Sequence, residues 1–185
     1  TEEETEQIRE ITKRFPMLIT PYYLSLVNPD DPDDPIKKVC LPQGMEFSEG
    51  GEFDTSGEHD NTVVPGLQHK YRQTALILST NQCAMYCRHC FRKRLVGVSN
   101  EEIAKQLPVM AGYVKEHKEI NNVLISGGDS FLNSNEIIER YLSYFADIPH
   151  IEFIRFGTRT PVVLPQRIYA DEELTDILRR YTEKK

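Results

Sequence analysis

The sequence has no apolar run near the roughly eighteen residues that a membrane helix needs, so no membrane span is predicted. It has no basic excess either. Its 22 Lys and Arg stand against 29 Asp and Glu, a formal net charge of −7, which argues against a general nucleic-acid binder. The opening TEEETEQIREITKRFP lacks a basic start followed by an apolar stretch, the pattern of a secretory leader, and a cytoplasmic setting is expected. Cysteine is scarce and unevenly placed: Cys40 alone, then Cys83, Cys87 and Cys90 within eight residues. A secreted disulfide framework spreads its cysteines, whereas a tight group fits a reducing compartment and metal binding. What is present is an ordinary globular balance, 39% hydrophobic and 28% charged over 185 residues, enough for a sizeable core.

Patterning along the chain changes near residue 70. Before it, residues 5–14 suggest a short polar helix ended by Pro16, and PDDPDDP (29–35) reads as an acidic turn-rich linker. The segment 44–66 is polar, acidic and Gly-rich without an apolar period, and reads as a solvated surface excursion. After it, ALILS (75–79), NVLI (122–125) and IEFIRF (151–156) predict buried strands. Helices are predicted between and after them. The first starts at a cap on Ser99 or Asn100, with Glu102 as capping partner, and runs to about His117, carrying Pro108 as a warning of a kink. The others cover 134–145 and about 171–181. Strand–helix alternation with short connections implies an α/β fold of parallel (βα) units. In such folds chemistry gathers at the carboxyl ends of strands. The three most unusual polar segments, CAMYCRHCFRKR, SGGD and GTRTP, each follow a predicted strand.

Three thiolates on one loop can hold three irons of a cubane cluster and leave the fourth open to a small molecule. Structural zinc and ordinary ferredoxin clusters take four protein ligands, and no fourth cysteine lies nearby. His89 is the rival fourth ligand, but it sits between two ligating positions and should point away from their centre. Cys40 is left as a bystander. Gly127 and Gly128 let backbone come close where a Cβ would collide, and Asp129 can accept from an ammonium group.

The spacing of Cys83, Cys87 and Cys90 after a strand, with Gly127–Gly128–Asp129 after the next, resembles the radical S-adenosylmethionine (SAM) enzymes. A wider set of motifs, ITPYYLSL (19–26), VPGL (64–67), CAMYCRHCFRKR, LISGGD (124–129) and RTPVVLPQRI (159–168), is similar to the lysine 2,3-aminomutase family in its N-terminal half. That similarity fails chiefly across about 46–63. The resemblance implies a [4Fe–4S] cluster on the three cysteines and SAM on the open iron. It implies Gly127, Gly128 and Asp129 at the SAM methionyl amino group, and His89 against the adenine. It further implies Arg92 pairing the substrate carboxylate and Tyr71 near pyridoxal 5′-phosphate (PLP). The implied activity moves an amino group from the α to the β carbon of an amino acid, a small-molecule substrate with lysine as the default, through a 5′-deoxyadenosyl radical. An external electron donor would reduce the cluster; homo-oligomerisation stays open.

Two departures matter. Where the family has an arginine for the PLP phosphate this chain has Thr74, with Lys70 and Arg72 nearby. The family's imine-forming lysine lies later than the region matched. The expectation is therefore the first part of a partial barrel, residues 71–185, preceded by a helical and irregular extension, residues 1–70, and inactive on its own. Two other readings stand beside it: a radical SAM enzyme without PLP, and a metal-stabilised binding domain without catalysis.

Overall fold

The computed structural model describes residues 2–48 and 50–184. Glu49, inside the segment 44–66, lies outside the described residues, as do Thr1 and Lys185. One open sheet runs in chain order through β1 (Thr62–Val64), β2 (Leu67–Tyr71), β3 (Thr74–Thr80), β4 (Asn122–Gly127) and β5 (Phe153–Phe156). The β3–β4 and β4–β5 pairs are parallel, as the alternation implies; β1–β2 and β2–β3 are antiparallel. The sheet is thus mixed and unclosed, with β1 and β5 as its edges. The antiparallel pair was absent from the sequence pattern because β2, LQHKY, alternates weakly. Only its first two residues are buried. A two-residue turn at Arg72 and Gln73 joins it to β3.

The helices are α1 (Glu2–Arg14), α2 (Pro21–Leu24), α3 (Pro35–Cys40), α4 (Leu107–Glu116), α5 (Asn135–Ala146), α6 (Thr160–Val163), α7 (Gln166–Tyr169) and α8 (Glu172–Thr182). The helix expected from residue 99 begins instead at Leu107, because Pro108 belongs in a first turn and cannot continue a helix. Ser99 caps only a local turn, its hydroxyl accepting from the Glu101 amide. The linker GTRTPVVLPQR holds two single-turn helices, α6 and α7.

The period of two in the strands separates two faces. Ala75, Ile77, Val123 and Ile125 are fully buried against α4 and α5, whose Met110, Val114, Tyr141 and Phe145 complete the main core. The opposite face carries a row set by register: Gln68 opposite Leu76, Leu76 beside Leu124, Leu124 beside Arg155. All four line a cavity of about 260 Å³. The helices thus cover one face of the sheet, and the cavity opens on the other. Truncating the fully buried ring with Phe145→Ala is expected to destabilise the chain by about 3–5 kcal/mol, read as a shift in the midpoint of urea unfolding.

Candidate functional site at the carboxyl edge of the sheet

The Cys loop leaves β3 at Asn81 and remains irregular to Ser99. Its shape comes from apolar residues that turn inward between the cysteines. Ala84 and Met85 are buried with Tyr23, Cys40 and Val163, so α2, α3 and α6 cover one side of the loop. Cys40 is fully buried in that cluster. Backbone bonds fix the rest. The Tyr86 amide donates to Leu18 O at 3.0 Å, Arg88 to Val39 O at 2.8 Å, and Gly97 to Asn81 O at 3.0 Å.

Charge locks the loop to the segment before the sheet. Arg88, buried, donates through Nε and Nη2 to Glu46 at 2.9 and 2.7 Å and through Nη1 to Pro16 O at 2.9 Å. Lys93 donates to the same Glu46 at 2.8 Å. Arg92 and Arg94 meet Glu58, whose side chain is 4% exposed. The expectation of a solvated excursion over 44–66 is corrected here. The segment contains a short 3-10 turn (Gly44–Phe47) and β1, and it inserts Glu46 and Glu58 beneath the basic run. The signal was available as charge complementarity between an acidic stretch and RHCFRKR, but no periodicity announces an ion pair.

The glycines act on the chain itself. A Cβ on Gly127 would lie 2.3 Å from Thr80 O, and one on Gly128 would lie 2.2 Å from Gln82 O. Gly127 also has φ +116°, where side chains are strained. The end of β4 therefore presses on the backbone from which the Cys loop departs, with the Gly128 and Asp129 amides donating to Thr80 O and Gln82 O at 2.6 Å. Asp129, buried, accepts from the Phe131 amide at 3.1 Å, the Arg159 amide at 2.8 Å and the Thr158 hydroxyl. Arg159 in turn donates from Nη1 to Cys87 Sγ at 2.6 Å. The three post-strand segments are thereby joined in one chain of contacts. Of the other arginines near this strand end, Arg155 reaches the 260 Å³ cavity, and Arg167 serves structure by donating to Phe131 O at 3.0 Å.

The three thiols are half-buried and within electrostatic reach of one another. Burial, then Asp129 and the other two cysteines, pushes Cys83 up to about 12. Burial likewise pushes Cys90 up. Among the described residues no three His, Cys, Asp or Glu side chains converge closely enough to hold one metal ion. A cubane makes a different demand, since it spreads its thiolates over three separate irons. The donor chemistry fits that group, and its positive charge would reverse the burial penalty on the thiolates.

Arg92 and Tyr71 line the same 260 Å³ cavity, together with Thr74, Lys70 and Glu58. His89 is not brought to them. It is exposed and lines a separate groove of about 600 Å³ with Arg14, Glu46 and Lys93.

Burial would push Glu46, Asp54 and Glu58 up. The cations around Glu46 and Glu58, and chiefly backbone amides at Asp54, outweigh it and hold all three below the usual carboxylate range. Groups depressed in this way contribute stability above their unfolded value and lose it as pH falls through the folded one. Acid unfolding is therefore expected to steepen below about pH 4.3. A Glu46→Gln, Glu58→Gln double variant should be less stable at neutral pH with a flatter acid limb, read by urea midpoints across pH.

No protein-family model matches the chain. Curated proteins do. It is 41% identical over 184 residues to an L-lysine 2,3-aminomutase of Clostridium subterminale, covering 98% of this chain and 44% of that protein. It is 44% identical over 184 residues to an L-lysine 2,3-aminomutase of Bacillus subtilis, covering 98% of this chain and 39% of that one. A glutamate 2,3-aminomutase of Clostridioides difficile is 38% identical over 183 residues, covering 98% and 43%. The chain thus spans less than half the length of these relatives. The match is at family level, to L-lysine 2,3-aminomutases and their radical SAM homologues, and takes in most of this chain.

Proposed function

We propose that this chain supplies the cluster-holding and carboxylate-binding part of an aminomutase that moves an amino group from the α to the β carbon of an amino acid. The observation that carries the proposal is the linkage Asp129–Arg159–Cys87, which ties all three post-strand motifs into one site. Cys83, Cys87 and Cys90 would hold a [4Fe–4S] cluster, with SAM at its open iron. When bound, these groups would supply a carbon-centred radical able to abstract hydrogen. The chain's own contribution is to hold and shelter. Ala84 and Met85 seat the loop, and Arg159 donates a hydrogen bond to one ligand sulfur, a contact of the kind that tunes cluster potential. Gly127, Gly128 and Asp129 would face the methionyl amino group. Asp129 Oδ2 accepts one bond from the chain, leaving one acceptor site there. His89 would lie against adenine. Arg92 would meet the substrate carboxylate.

For PLP the residues present make part of a site, with Lys70 and Arg155 as cations beside Tyr71, and with Thr74 where the family has its phosphate arginine. Tyr71 lines the cavity, but Thr74 brings no charge to it, and no step is assigned through that cofactor. A second reading, the same radical chemistry without PLP, is favoured by this one observation. Lysine is the first substrate to test, since two of the relatives described are named for it and one for glutamate. Residues 1–70 serve in this proposal as an extension that braces the radical core, 71–185, through Glu46 and Glu58.

Anaerobic reconstitution with iron and sulfide is expected to give equal iron and sulfide and a broad visible absorption. Cys83→Ala, Cys87→Ala and Cys90→Ala should each abolish both, and Cys40→Ala should keep both. Zinc uptake without colour would favour a metal-stabilised binding domain instead.

A further inference from the structure

Arg92 has five N–H donors in a planar fork, and the chain already engages four of them. Nε donates to both Glu58 oxygens at 2.9 and 3.2 Å, and Nη2 to Glu58 Oε1 at 2.7 Å. Nη1 donates to Gly127 O at 3.0 Å and to Ser126 Oγ at 3.2 Å. The side-on edge of the guanidinium is therefore closed by a carboxylate. The end-on edge is met by no carboxylate: the Nη1 contacts are to a carbonyl and a neutral hydroxyl. A second carboxylate can take that edge in bidentate fashion by displacing one neutral acceptor of Nη1.

Glu58 is itself held rigidly. Its amide and that of His59 donate to the two Asp54 oxygens at 2.9 Å, and Thr62 Oγ1 donates to Glu58 O at 2.8 Å. Its second oxygen accepts from Arg94 Nη2 at 2.8 Å, and Arg94 is fixed in turn on Glu102 at 3.0 and 2.8 Å. A ligand would not need to expel Glu58 to find positive charge. The cavity is lined by Lys70, Arg92 and Arg155 against Glu58 alone, three cations to one anion.

We propose that Glu58 is a positioning residue for Arg92: it clasps the Nε–Nη2 edge so that the end-on edge faces the 260 Å³ cavity and receives the carboxylate of an amino-acid ligand. The proposal rests on the assignment of Arg92 to the substrate carboxylate and gives that arginine its geometry. Without the clasp the guanidinium can rotate among Gly127 O, Ser126 and solvent, and carboxylate selectivity falls even though the cation is still present.

The test compares L-lysine with L-lysinamide, which lacks the carboxylate, titrated calorimetrically into the 185-residue chain. Wild type is expected to prefer L-lysine. Glu58→Gln should lower that preference by about tenfold or more with lysinamide affinity unchanged, and Glu58→Asp, which restores the charge on a shorter arm, should recover part of it. Should Glu58→Gln fail to fold, an Asp54→Asn variant, which loosens the turn carrying Glu58, should show the same selective loss. A preference kept in Glu58→Gln or Asp54→Asn, or an equal loss for both ligands, would overturn the proposal. Arg92→Gln separates the two layers. If it abolishes the preference and Glu58→Gln does not, Arg92 keeps its assignment and Glu58 loses its own. If wild type shows no preference, or if Arg92→Gln keeps it, the assignment of Arg92 fails and the proposal falls with it.

Discussion

The pairing of buried arginines on the Cys loop with two carboxylates from the segment before the sheet underlies everything else at this site. A loop without regular structure has no ladder to hold it, and this one carries four basic residues, Arg88, Arg92, Lys93 and Arg94, close to the three thiols. Removing either partner of a buried pair leaves an uncompensated charge, costing about 3–5 kcal/mol, so Glu46 and Glu58 fix the loop more firmly than their place in an acidic, Gly-rich stretch suggests. The extension before the sheet is thus part of the site's construction: Glu46 reaches Arg88 and Lys93, and Tyr23 and Cys40 cover Ala84 and Met85.

On the other side the loop is held by the sheet. Parallel strands place the ends of β3, β4 and β5 side by side, and the missing Cβ atoms of Gly127 and Gly128 let β4 close onto Thr80 and Gln82. Asp129 then draws in Thr158 and Arg159, and Arg159 returns to Cys87. Burial makes Cys83 and Cys90 costly to ionise, Cys87 meets a guanidinium donor, and the neighbouring Arg92 lines a cavity with excess positive charge. The arrangement suits the cluster and the carboxylate ligand of the proposed function.

Much of this was legible from the residues. The three parallel strands and the gathering of motifs at their carboxyl ends follow from apolar runs such as ALILS and from where SGGD and GTRTP stand in order. Three things were hidden, each for a physical reason. β2 has only Leu67 and Gln68 buried, so it shows no clear alternation. The start of α4 was obscured because Ser99 and Glu102 imitate a capping box, whereas Pro108 sets the first turn. Glu58 was concealed because its importance comes from the loop folding over it, and sequence pattern reports burial of apolar faces better than burial of charge. The glycines were found for a partly different reason than expected, since what their missing Cβ atoms clear is the chain's own backbone.

The central claim is that Glu46 and Glu58, rather than the sheet alone, hold the Cys loop in shape before any cofactor arrives. Native-state hydrogen exchange at the Tyr86, Arg88 and Gly97 amides tests it most directly, because each donates to a backbone carbonyl within or beside that loop. With both carboxylates present these amides should be protected. In a Glu46→Gln, Glu58→Gln chain they should exchange far faster while the β3 and β4 amides keep their protection. Unchanged protection of the loop in that variant would contradict the account.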